Sequence, residues 1–133
     1  MITTTHITVD RQRISFVVKV PAAQQRTSPQ LMQRVLQDFP RLPQHSCVNA
    51  EGPLFGAVMD HTSTPHLLEH LTIDAQVRAH AQGRFRETLF VGNTQWVDQS
   101  QGLARIQVNY ADDLVALRCF NESVTYLNAI MLG

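Results

Sequence analysis

Apolar and polar positions alternate at the start of the chain, first in THITVD and then, after the RQR break, in ISFVVKV. A two-residue period built from Thr, Ile and Val suits half-buried strands, so this stretch predicts a β-hairpin. The period then lengthens. Leu31, Val35, Leu36 and Phe39 recur at three- and four-residue steps behind Ser28-Pro29, a cap followed by a first-turn proline, and Pro40 and Pro43 end that helix. Between residues 40 and 64 the pattern is irregular, with LFGAVM read as a short strand inside it. Thr64-Pro65, again a cap followed by proline, opens a second helix that runs to about His80, ahead of Gly83. ETLFVG and LARIQVNY read as strands joined by a loop, GNTQWVDQSQG. A last helix starts at Asp112 or Asp113, with Leu114, Leu117, Phe120, Val124, Leu127 and Met131 as one buried stripe. Together these elements predict an α+β fold: a single domain over residues 1–133, with a mainly antiparallel sheet and about three helices packed on one face.

Composition narrows the partners. With 133 residues, 44% of them hydrophobic, the chain can fill one core but is too short for two ordinary domains. Eleven basic residues balance eleven acidic ones and form no dense Lys/Arg run, so neither nucleic acid nor an anionic membrane is expected as a partner. The start lacks a basic segment followed by an apolar one, and no run of apolar residues is long enough to span a bilayer, which predicts a cytoplasmic location. Cys47 and Cys119 form no CxxC pair and are expected to be reduced, structural thiols rather than a disulfide or a cysteine zinc site.

The candidate chemistry sits in the second helix, STPHLLEHLTIDAQ. With Pro65 in the first turn, His66, Glu69 and His70 stand at i, i+3 and i+4 and share one helical face, while Leu67, Leu68 and Leu71 are left to anchor the helix in the core. Two imidazoles one turn apart can both reach a tetrahedral zinc ion, and the HxxEH order is the inverse of the HExxH zinc motif, with the glutamate placed to act as base towards a zinc-activated water. The same face could equally be a solvated polar stripe, because two helical ligands make only half a site. A further ligand must come from another element. Glu51, in the irregular segment leading to the helix, is the first candidate and Glu122 the second; Asp60 and His61 would need a sharp turn. His80 is about 15 Å along the axis from His70, too far to share the ion. Asp74, one turn past His70, is placed either to orient an imidazole or to face solvent.

This helix, His66-Leu-Leu-Glu69-His70 followed by Gln76, resembles one in the N-terminal domain of cyanophycin synthetases, enzymes that build a polymer of aspartate with arginine on its side chains. The resemblance extends to GRFRET, residues 83–88, ahead of a strand, and to ARIQVNYADDLVALRCF as a strand and terminal helix. It covers roughly Glu51 to Met131, with the first fifty residues similar in outline. Where the family tends to continue EHxALELQ, this chain reads EHLTIDAQ, placing Thr72 and Asp74 differently. The family's ATP-grasp and Mur-ligase-like domains cannot fit in this length, and no glycine-rich phosphate loop is present, so ligase activity is not expected of this polypeptide. The resemblance implies a domain that holds polymer or peptide and, in some members, a zinc-hydrolase site that clips the polymer. His66 and His70 would be ligands, Glu69 the base, and an upstream acidic residue such as Glu51 the third ligand. The helix also resembles that of pitrilysin-type metallopeptidases, whose third ligand, a glutamate, would fall beyond Gly133.

Two functional expectations follow. The first is a zinc-dependent hydrolase of a peptide or isopeptide bond, with Arg84, Arg86 or the Trp96 loop binding substrate and Arg105 as a further candidate for its carboxylates. The second is a non-catalytic module that binds an amino-acid polymer, as a homo-oligomer or on a separate ligase. A structural zinc completed by a residue such as His61 is a third form of the site.

Overall fold

The structure, a computed structural model, describes residues 1–81 and 89–132. Four strands form its main sheet: β1 (Thr3–Val9), β2 (Arg13–Lys19), β5 (Gly92–Asp98) and β6 (Leu103–Asn109), in the order β1-β2-β6-β5 with every neighbour antiparallel. A small hairpin of β3 (Ser46–Asn49) and β4 (Gly52–Leu54) stands apart from it. The helices are α1 (Pro29–Asp38), α2 (Thr64–His80) and α3 (Asp113–Leu132).

Two-residue periodicity builds the core. Ile14, Phe16 and Val18 of β2 pair with Val108, Ile106 and Ala104 of β6, and all six side chains are buried on one sheet face. On that face the Phe16 ring stacks on Phe120 of α3 at 3.6 Å between centroids, and Leu67, Leu68 and Leu71 of α2 are fully buried. Each such side chain removed from water contributes about 1.5–3 kcal/mol. The N-terminus is tied to α3 by Asn128, whose amide donates to the Ile2 carbonyl while its oxygen accepts from the Ile2 N–H. The α+β architecture therefore follows the sequence expectation, including the α1 start at the Ser28 cap, whose hydroxyl accepts from Leu31 N.

Several local expectations need correction. Residues 92–98, read as a loop, form the edge strand β5. Asn93 and Thr94 read as turn residues first and site candidates second, but a strand paired on one side only can carry them, and the true turn is Gln99–Gln101. Of ETLFVG, Glu87 and Thr88 lie outside the described residues, and Leu89 to Val91 precede the strand. Of LFGAVM only Leu54, the end of β4, is in a strand; Phe55–Ala57 form a 3₁₀ turn pinned by the fully buried Phe55. Helix α2 is capped by Ser63, because Thr64 turns inward and its hydroxyl donates to the Gln24 carbonyl. Leu114 is 72% exposed, since the buried seam of α3 runs through Ala116, Cys119, Phe120, Ser123 and Leu127, and a position two residues before Ala116 falls on the opposite side.

Gly102 closes the β5–β6 turn at φ 71°, and a Cβ there would sit 2.2 Å from the Val20 carbonyl oxygen. Gly102→Ala is therefore expected to destabilise the fold by about 2–4 kcal/mol, from the left-handed backbone and the clash together, read as a shift of the urea midpoint.

Candidate metal centre

Helix α2 begins where the Ser63 hydroxyl accepts from His66 N, which fixes the first turn and with it the direction of His66. Its leucines face the core, and the opposite face looks into a cleft of about 870 Å³ between α2, β3 and the start of β5. His66, Glu69 and His70 all line that cleft, so the predicted helical face exists, but it is buried rather than solvated: Glu69 is 4% and His70 2% exposed.

The third candidate donor is a thiol. Cys47, on β3, lies 3.4 Å from His66 Nε2, and Cys47, His66 and His70 each offer one ligand atom within 4.8 Å of the others. A tetrahedral zinc with bonds of about 2.0–2.3 Å needs donors roughly 3.4–3.7 Å apart, so one pair already has that spacing and the remainder needs side-chain movement of about 1 Å. His66 Nδ1 is engaged by the Thr62 hydroxyl at 2.8 Å, which leaves Nε2 facing the thiol. Phe55 stacks on the His70 ring at 4.1 Å and meets His66 edge-on at 5.0 Å, holding the two imidazoles at a steep angle to each other.

The electrostatics favour neutral ligands. Burial, with His66 and His45 close by, pushes the His70 pKa down to about 3, and burial also lowers that of His66. Both rings are thus available as lone-pair donors at neutral pH, as a metal requires. Among the described residues, His70 Nε2 is buried without a hydrogen-bond partner, and Glu69 Oε2 lies 3.7 Å away. A buried nitrogen left unpaired costs about 1–3 kcal/mol, and a cation at that position would satisfy it. The residues present therefore fit a metal ion of borderline softness such as zinc.

Glu69 is held separately. Thr94 of β5 donates to Oε1 at 2.7 Å, and Gly92 allows the strand to pass close, since a Cβ there would lie 3.0 Å from Glu69 Cγ. Burial raises the Glu69 pKa to about 7, against the opposing influence of the Thr94 hydrogen bond and of His45.

Other predicted site residues fall elsewhere. Glu51 is half-exposed and accepts from His61 at 2.8 Å, so it does not join the two imidazoles; the turn after Asn49 directs it outward, and Cys47 occupies the place expected of it. His61 is engaged in that same surface pair. Trp96 pairs across from Ala104 and packs against the core instead of reaching the cleft. Arg105 pairs with Val17 and Gln95 on the sheet face away from the helices. Arg84 and Arg86 lie outside the described residues. Among the described residues, Arg26 is the arginine that lines the cleft. Asp74 is buried and reaches His45 rather than His66 or His70. His45 escaped the sequence reading, and Cys47, expected there to be a structural thiol, instead lies with His66 and His70; the one available signal was that positions two apart in an extended segment project to the same side.

A family model of the cyanophycin synthase-like N-terminal domain matches residues 13–132, reaching back through β2 and α1 into the part that resembled the family only in outline. Neither a curated protein nor a solved structure matches the chain. No helix among the described residues is long and apolar enough to cross a membrane. With nearly its whole length matched, the chain belongs to the family of cyanophycin synthase-like N-terminal domains.

Proposed function

We propose that the protein is a zinc-dependent hydrolase of a peptide or isopeptide bond, working in the metabolism of an amino-acid polymer of the kind its family is named for. The observation that carries this reading is the convergence of Cys47, His66 and His70 beside a buried carboxylate, Glu69, in one cleft. Zinc held by these three residues would supply Lewis-acid polarisation of the scissile carbonyl and acidify a water. Glu69 would take and return the proton, for which a pKa of about 7 is well placed, because the group is then a competent base and a competent acid near neutrality. Thr94 keeps one oxygen of that carboxylate fixed and leaves the other turned to the histidines.

Metal analysis of untagged protein together with a peptide-cleavage assay tests the reading: about one zinc per chain is expected, with cleavage abolished by a chelator and restored by zinc. Absence of bound zinc, with melting unchanged by the chelator, would instead support a non-catalytic module that binds polymer or docks on a separate ligase.

A further inference from the structure

His70 is gripped from behind by a second imidazole. Its Nδ1 lies 3.0 Å from Nδ1 of His45, and His45 directs its other nitrogen at Asp74 Oδ1, 3.4 Å away. Asp74 is buried, and its second oxygen is ion-paired with Arg78, 2.9 Å from Nε. Arg78 is itself anchored, donating to the Asp38 carbonyl at the end of α1 and lying over the Phe39 ring.

The direction of each hydrogen bond follows from what each group can do. A carboxylate only accepts, so a bare His45 Nε2 would set a lone pair against Asp74 Oδ1, and Nε2 must carry the hydrogen. A neutral His45 then has only an acceptor at Nδ1. His70 must therefore donate from its own Nδ1, which leaves the lone pair on Nε2, the atom found buried and unpaired in the cleft. We infer that Asp74 and His45 are positioning residues that hold His70 in its Nδ1–H tautomer, so that Nε2 is presented to the metal. This goes beyond the proposed hydrolase and rests on its metal centre for the choice of ligand. It also differs from the usual arrangement, in which a carboxylate or carbonyl contacts the ligating ring directly; here a second histidine is interposed.

Ring-nitrogen correlation spectra of metal-free, ¹⁵N-labelled protein under mildly alkaline conditions test the tautomer directly. Wild-type His70 is expected as Nδ1–H. Asp74→Asn, whose amide can pair with His45 in either form, is expected to give a mixture of tautomers and zinc affinity about 10-fold weaker by chelator competition. His45→Asn places an amide oxygen near the position of the lost Nδ1 and no longer needs Asp74, so adding Asp74→Asn to it should cost no further affinity. A His70 proton found on Nε2 in the wild type overturns the inference, as does Asp74→Asn binding zinc like the wild type. The wild-type spectrum decides even where Asp74→Asn fails to fold. A wild-type protein that takes up no zinc defeats the metal-centre reading instead, and the spectrum still decides the tautomer.

Discussion

Cys47→Ala is expected to lower zinc affinity about 100-fold or more, which is a loss of roughly 2.7 kcal/mol of binding free energy. The thiol is the donor already at ligand spacing from His66, and without it only two histidines of the group remain. Because Cys47 is half-buried on the short strand β3, the metal-free variant should melt within a few degrees of the metal-free wild type. The contrast appears on adding zinc. Metal present at about 1,000 times its Kd stabilises a native site by about 4 kcal/mol, which for a chain of this size raises Tm by about 10–15 °C. At the same zinc concentration a 100-fold weaker site gains only about 1.4 kcal/mol, so the rise should fall to about a third of the wild-type value or less in Cys47→Ala. Glu51→Ala serves as the control and should keep it, since the Glu51 carboxylate is committed to His61 at the surface. If Cys47→Ala retains the zinc-dependent rise while Glu51→Ala loses it, the site was assigned to the wrong third ligand.

Glu69→Gln separates binding from chemistry. The amide keeps the size of the side chain and can still accept from Thr94, so zinc uptake should persist while turnover falls about 10²–10⁴-fold, the usual worth of a positioned base. Undiminished cleavage by this variant would remove Glu69 from the reaction.

The same substitution has a signature in the stability of metal-free protein. The Glu69 pKa is raised by folding from 4.5 to about 7, so the folded state holds a proton that the unfolded state has released, and stability is lost as pH rises through that window, by at most about 3 kcal/mol. The His70 pKa is lowered from 6.5 to about 3, so its contribution is present above 6.5 and lost as pH falls towards 3. Between pH 4.5 and 6.5 the slopes have opposite signs, so in the wild type Glu69 offsets part of the loss on acidification that His70, joined by His66, produces. Glu69→Gln removes the first slope and leaves the second, so the variant should lose stability steadily on acidification from pH 6.5. Urea midpoints across that range test this, and parallel curves for the two proteins would contradict the assignment of the opposing groups.

Legibility in the sequence tracked how local each interaction is. The hairpin of residues 3–19, the α1 cap at Ser28 and the buried stripe of α3 from Phe120 onward are set by periods of two or 3.6 residues within one element, and they could be read. His66, Glu69 and His70 belong to the same class: a helix one turn long brings them together whatever surrounds it. Strand β5 was misread because its pairing with β6, not its own composition, makes it a strand.

The sequence by itself determined an α+β chain with two histidines and a glutamate on one helical face, since dihedral preferences and apolar spacing act over a few residues. Only the tertiary structure decided that this face is buried, that Cys47 rather than Glu51 meets it, that Thr94 holds Glu69, and that His45 and Asp74 stand behind His70. Those partners lie on other elements, and their convergence depends on how α2 packs against β3 and β5. No short-range pattern encodes that packing.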